Sequence, residues 1–245
     1  MREVEVDTRL LSNKAIPAHE RLIFPLDVPT REQGLEWVDR LGETVHFYKL
    51  GLELFLAGNY IELLHELTRR KKRVLVDLKF FDVPETVAAA VKQIRSHGAD
   101  FATVHGNEEM IEAACREKDG LKILAVTVLT SWDENDIRDL GATVSVQQLV
   151  LSRARRALLR GCDGVISSGL EIRALRDQFG DGFFIVSPGI RPVENRLTDD
   201  HKRVVSVEEA FAAGADYIIM GRPIRNAPNP VEKAKEIQET IARLF

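Results

Sequence analysis

From residue 21 to the C-terminus, short apolar and β-branched runs alternate with longer segments of helical period, and this alternation limits the folds open to the chain. The strand candidates are Leu22–Leu26, Val45–Leu50, Arg73–Leu78, Phe101–Val104, Ile123–Val128, Gly164–Ile166, Phe183–Val186 and Tyr217–Met220. Helix candidates fill the gaps: Thr30–Leu41, Tyr60–Arg70, Pro84–His97, Asn107–Lys118, Val146–Arg160, Leu170–Phe179, Ser206–Ala213 and Pro230–Leu244. Pro84 suits a first helical turn. Gly42, Gly98, Gly161 and Gly214 each stand just beyond a periodic run, where a helix ends most easily on glycine. The pattern predicts an α/β protein, a single-domain (β/α)8 TIM barrel over residues 21–245. Residues 1–20 form an N-terminal extension, read as an arm or as a cover for the barrel bottom. A doubly wound open sheet competes, but it usually has a GxGxxG turn after its first strand. Here that turn reads Leu26-Asp27-Val28-Pro29-Thr30.

With 34 basic and 38 acidic side chains the formal net charge is −4, which offers no global field for nucleic acid. The N-terminal residues lack the apolar run of a signal peptide, and no later segment approaches the ~20 apolar residues of a membrane span. A soluble cytoplasmic protein with no membrane partner is expected. Cys115 and Cys162 are too few for a disulfide framework or a cysteine metal site, and are read as inert thiols of a reducing compartment. No histidine pair has metal-ligand spacing, and no P-loop is present. The basic run from Arg153 to Arg160 reads as a solvated helix face.

Barrel active sites lie at the C-terminal ends of the strands, so the residues after each apolar run carry the functional reading. They are polar or charged: Asp27, Lys49, Asp77 with Lys79 and Asp82, His105, Thr127 and Thr130. The seventh strand runs into Ser187-Pro188-Gly189-Ile190-Arg191 and the eighth into Gly221-Arg222-Pro223. On a regular strand Asp77 and Lys79, two apart, point to one face, and Asp82 follows within reach. A lysine held between two carboxylates stays protonated and suits donation of a proton to a developing carbanion. A structural ion pair at a strand end is the plainer reading of that pair alone. Glycine amides and arginine forks after the last two strands match a phosphate monoester; without the arginines, tight turns would account for the glycines. His105 is read as a hydrogen-bonded residue of the barrel mouth before a base or ligand. Phe80 and Phe81 are read as packing anchors.

Six blocks in order resemble the orotidine 5′-phosphate decarboxylase family: Leu26-Asp27, Phe47-Tyr-Lys49-Leu-Gly51-Leu-Glu-Leu-Phe55, Asp77-Leu-Lys79-Phe-Phe-Asp82-Val-Pro84-Glu-Thr86-Val87, Ala125-Val-Thr-Val-Leu-Thr130-Ser131, Ser187-Pro188-Gly189-Ile190-Arg191 and Gly221-Arg222. The third is similar to the family signature Asp-x-Lys-x-x-Asp-[Ile/Val]-Pro-x-Thr-Val. The resemblance implies decarboxylation of orotidine 5′-monophosphate to uridine 5′-monophosphate, the last step of de novo pyrimidine synthesis, with no metal or organic cofactor. It implies a homodimer with shared active sites. Lys79 would protonate C6 of the ring, Asp77 would face the substrate carboxylate, Lys49 would pair with the carboxylates, and Asp82 would enter the neighbouring subunit's site. Asp27 and Lys49 would serve the ribose and Thr130 the pyrimidine. Arg191, Gly221 and Arg222 would hold the phosphate, and Thr86 would join in substrate binding.

The chain departs from the family at two places. Phe80-Phe81 stands where a leucine-histidine pair is common, and His201 stands where a phosphate-contacting glutamine is usual. The long polar loop from Arg191 to Lys202 resembles a lid that closes on phosphate. Two rivals share the barrel. Magnesium-dependent phosphosugar enzymes, such as hexulose-phosphate synthase, look for a glutamate on the second strand, where Lys49 would oppose a divalent cation. A catalytically dead nucleotide-binding barrel would have little use for clustered charges that are costly to bury.

Overall fold

The computed structural model describes residues 11–191 and 205–245. Each apolar run of the sequence is a strand: β1 (Leu22–Pro25), β2 (Phe47–Leu50), β3 (Arg73–Phe80), β4 (Phe101–Val104), β5 (Lys122–Val126), β6 (Gly164–Ile166), β7 (Phe184–Ser187) and β8 (Tyr217–Ile219). All neighbours pair in parallel, and the pairing of β1 with β8 closes the barrel. The helices are α1 (Arg31–Leu41), α2 (Leu52–Ala57), α3 (Tyr60–Arg69), α4 (Pro84–Ser96), α5 (Glu108–Arg116), α6 (Glu134–Asp139), α7 (Val146–Leu159), α8 (Ile172–Phe179), α9 (Val207–Ala212), α10 (Arg222–Arg225) and α11 (Pro230–Leu244). Three short helices, α2, α6 and α10, were not expected from the sequence. Each is too short to show a helical period, and local chemistry forms them instead. Asp133 and Asp136 close a capping box around the start of α6, and Pro223 occupies the first turn of α10.

Alternation along the strands separates two apolar layers. Ile23, Phe47, Leu75, Phe101, Leu124 and Tyr217 pack together inside the barrel. Leu22, Phe24, Tyr48, Leu50, Val74 and Val76 are buried in the layer under the helices. Each such side chain contributes about 1.5–3 kcal/mol on burial, so register is strongly held. The pairing Pro25↔Lys49↔Leu75 then decides where charge emerges. One inward step above Phe47 is Lys49, and one above Leu75 is Asp77.

At the opposite end, the described part of the N-terminal extension lies against the barrel. Ser12 and Lys14 hydrogen-bond the fully buried Asp216, which also pairs with Arg176 at 2.7 Å. Arg73 pairs with Glu20 at 2.7 Å, and its guanidinium faces the rings of Phe47, Phe101 and Tyr217. Charge at this end is paired and enclosed, which suits stability more than chemistry. Cys115 and Cys162 are free thiols with sulfurs 3.7 Å apart. No helix of the described residues is long and apolar enough to cross a membrane.

Candidate active site

At the C-terminal ends of the strands lies a cleft of about 460 Å³, lined by Pro25, Asp27, Lys49, Asp77, Lys79, Val126, Thr130, Ile166, Pro188, Gly189, Arg191, Ile219, Gly221, Arg222 and Arg225 among others. Its size suits a small molecule. Asp27, Lys49, Asp77, Lys79, Thr130, Arg191, Gly221 and Arg222 were all expected in the site from the sequence, and the structure brings them to one cleft.

The charged side of the cleft is built on β1 to β3. Lys49 Nζ lies 3.0 Å from Asp27 Oδ1 and 3.4 Å from Asp77 Oδ2, and Lys79 Nζ lies 2.9 Å from Asp77 Oδ1. Burial alone would push the Asp77 carboxyl up, but attraction from Lys49 and Lys79 and hydrogen bonds from Lys79 and Thr103 hold it below its ordinary value. Burial would likewise depress Lys49, and Asp77 and Asp27 together lift it above the usual lysine range. Both directions agree that the pair is ionised at neutral pH.

The geometry around Lys79 differs from a regular strand. Val76 pairs with Ala102 and Phe80 with Val104, so four steps along β3 span only two along β4. This bulge places Lys79 at φ +50°, in the left-handed region that a side chain occupies at a cost of about 1–3 kcal/mol. Lys79 and Asp77 meet because the chain bulges, and not because two strand residues share a pleat. Thr103, fully buried on β4, accepts the Lys79 backbone N–H at 2.9 Å and donates its hydroxyl to Asp77 Oδ1 at 3.0 Å.

Two of the expected site residues stand away from the cleft of their own chain. Asp82 does not flank Lys79: it is exposed, outside the cleft lining, and Oδ1 accepts the N–H of Val83 at 2.6 Å. The loop between β3 and α4 turns it away. Thr86, in the first turn of α4, is also exposed and outside the lining. His201 lies outside the described residues, as do residues 192–202 of the loop read as a lid.

The basic side is built from the ends of β7 and β8. Arg191 is buried, its backbone held by Val205 and its guanidinium donating to the Ile190 carbonyl at 3.0 Å. Gly189 has φ +77°, which favours glycine in this turn. A Cβ on Gly221 would stand 2.6 Å from Pro25 Cγ, so only glycine lets β8 pass β1 this closely. Arg222 and Arg225 follow in α10, and Arg225 donates to the Pro25 carbonyl at 2.8 Å.

Other readings resolve differently. Thr127 donates to the Ile166 carbonyl at 2.9 Å and is structural. His105 packs edge-on against Phe81, and burial, with Arg153 and Lys79 nearby, pushes its imidazole below the usual histidine value. Among the described residues its ring makes no hydrogen bond and it does not line the cleft, so the hydrogen-bonded mouth residue expected from the sequence is not found. Thr103 and Arg225 were missed. Thr103 was detectable as a polar residue one inward step above Phe101, whereas Arg225 belongs to a four-residue helix without a sequence signal. Among the described residues no group of three or more His, Cys, Asp or Glu side chains is arranged to hold a metal ion. Taken together, the cleft can hold an anion at its arginine side and stabilise charge changes beside the lysines.

The model of the orotidine 5′-phosphate decarboxylase / HUMPS family matches residues 20–237. The chain is 58% identical over 235 residues to the orotidine 5′-phosphate decarboxylase of Methylococcus capsulatus, covering 96% of this chain and 97% of that one. It is 51% identical to that of Stenotrophomonas maltophilia over 91% of this chain and 93% of the relative. The solved orotidine 5′-phosphate decarboxylase of Lactobacillus acidophilus superposes with a TM-score of 0.79 at 33% identity, over 91% of this chain and 99% of that one. With the family model matching most of its length and the charged cleft lying inside the matched region, this chain belongs to the orotidine 5′-phosphate decarboxylase / HUMPS family.

Proposed function

We propose that this protein decarboxylates orotidine 5′-monophosphate to uridine 5′-monophosphate and carbon dioxide. The observation that carries the reading is the Lys49–Asp77–Lys79 array in a cleft whose other side presents Arg191 and Arg222. The arginines and the Gly189 and Gly221 turns would hold the phosphate, Asp27 with Lys49 the ribose, and Thr130 the pyrimidine. The C6–carboxylate bond then breaks, leaving its electron pair on C6 as carbon dioxide departs. Lys79 delivers a proton from Nζ to C6 and is reprotonated from solvent. The array is charged and fixed before substrate arrives, so it stabilises the developing anion without reorganising during the reaction. Asp77 also faces the departing carboxylate, an unfavourable contact that is relieved as carbon dioxide forms.

The phosphosugar branch is less well supported, since Lys49 places an ammonium where a divalent cation would need a carboxylate. The test follows loss of pyrimidine absorbance from orotidine monophosphate, with and without excess chelator. Turnover unaffected by chelator is expected. Activity abolished by chelator and restored by magnesium would transfer the protein to the phosphosugar branch.

We further propose that two chains share each site across a two-fold axis, with Asp82 and Thr86 of one chain entering the cleft of its partner. Support comes from the same rim. Phe81 and Val83 beside Asp82 in the loop after β3, and Leu52, Phe55 and Leu56 on α2 after the adjacent β2, are all more than half exposed. Such an apolar patch needs a cover in water, and a second copy offers the same patch in return. A reducing cytoplasm suits the Cys115–Cys162 thiol pair and is the proposed location.

A further inference from the structure

The amide N–H of the left-handed Lys79 is held by a side-chain hydroxyl. Thr103 Oγ1 takes the Lys79 N–H at 2.9 Å, standing in for a β4 carbonyl at the point where the β3–β4 ladder is interrupted. The same hydroxyl donates at 3.0 Å to Asp77 Oδ1, the oxygen that Lys79 Nζ reaches at 2.9 Å. These bonds form a closed ring, from the Lys79 main chain through Thr103 to Asp77 and back to the Lys79 ammonium. Asp77 Oδ2 is left facing Lys49 at 3.4 Å. Thr103 is fully buried, and its backbone belongs to a four-residue strand paired on both sides, so the anchor itself is rigid.

We propose that Thr103 is a positioning residue: its hydroxyl sets both the carboxylate of Asp77 and the backbone of Lys79, and so aims the ammonium at the reacting carbon. The proposal rests on the decarboxylase reading for the role of Lys79. It requires an oxygen at this position and is indifferent to the methyl group. Packing requires the reverse, because valine keeps the volume of threonine and serine does not.

The experiment compares Thr103→Ser, Thr103→Val and Thr103→Ala with wild type in kcat and KM for orotidine monophosphate, in affinity for uridine monophosphate, and in thermal melting. Serine should keep turnover within a few-fold of wild type. Valine and alanine should lose about 10²-fold in kcat, the scale of a small misplacement at a reacting centre, with nucleotide affinity held within a few-fold. Wild-type turnover by Thr103→Val would overturn the proposal, as would a serine variant as impaired as valine. Parallel loss of kcat and nucleotide affinity would point to general damage to the cleft and would also overturn it. If the valine variant fails to fold, serine against alanine isolates the same single oxygen. A wild-type protein that does not decarboxylate orotidine monophosphate sinks the functional reading instead. In that case crystal structures of the wild-type and alanine proteins decide: Lys79 Nζ unmoved relative to Asp77 would overturn the positioning role, and a displaced Nζ would support it.

Discussion

The ammonium of Lys49 on β2 stands 3.4 Å from Oδ2 of Asp77 on β3, and this contact makes one charge array of two adjacent strand ends. Lys49 also holds Asp27 at 3.0 Å, so the lysine links the ends of β1 and β3. Both Lys49 and Asp77 are largely shielded from water, with side chains 12% and 13% exposed. Shielding raises the cost of leaving either one alone, and each shifts the other further into its charged form.

Acid should therefore weaken the protein in a specific way. Asp77 has its folded-state pKa below the ordinary carboxylate value of 3.8, so its stabilising contribution is complete above that value and is lost as pH falls through the lower folded value. Asp77→Asn mimics the protonated form. The melting temperature of wild type should exceed that of Asp77→Asn at neutral pH, and the gap should narrow as pH falls below 3.8. A gap that stays constant over this range would contradict the ionised array.

Lys79 and Arg222 should differ in kind when removed. Lys79→Ala should lower kcat by about 10²–10⁴-fold or more while the nucleotide still binds, as expected for loss of a proton donor. Arg222→Ala should mainly raise KM, by about 10–100-fold for a lost charge-assisted contact, with a smaller fall in kcat. Steady-state kinetics with isothermal titration of uridine monophosphate separates the two. Near-normal turnover by Lys79→Ala would remove it as proton donor.

Gly51 is buried with φ −110°, a conformation alanine adopts freely, yet a Cβ there would lie 3.1 Å from Lys49 Nζ and 3.2 Å from Asp27 Oδ1. Gly51→Ala should lower the melting temperature slightly, because crowding of the Lys49–Asp27 pair and loss of glycine at the start of α2 outweigh the restriction of the unfolded chain. It should also reduce kcat/KM by roughly tenfold, less than the ~10²-fold of a ~1 Å misplacement. A variant as active as wild type would show that the Lys49–Asp27 pair tolerates displacement.

Subunit mixing tests the shared site. Lys79→Ala and Asp82→Ala homodimers should each be nearly inactive. After random exchange roughly half the dimers are hybrids, and each hybrid has one site with both residues intact, so activity should recover to about a quarter of wild type. Native mass spectrometry would verify the hybrids. Hybrids without recovered activity would place Asp82 in its own chain's chemistry or couple the two sites.

Much of the molecule was legible in the chain because the signals are local. A short apolar run such as Phe47-Tyr48-Lys49-Leu50, buried on both faces, marks a strand by itself, and such runs at barrel spacing mark eight strands before any contact is known. Charges just above the apolar layer marked the cleft for the same reason. The short helices escaped because fewer than two turns of helix show no clear period, and Arg225 was hidden with α10. Tertiary structure alone decided which charges meet. Lys49 finds Asp27 and Asp77 only when β1, β2 and β3 lie in register, and Lys79 turns toward Asp77 through a bulge whose strain Thr103 on the next strand offsets. Asp82, equally conspicuous in the sequence, is carried out of its own cleft by the loop that follows the bulge. Periodicity belongs to a segment and is written in its residues, whereas convergence depends on barrel closure and on the departure of β3 from a regular pleat, and both arise from contacts between residues far apart in the chain.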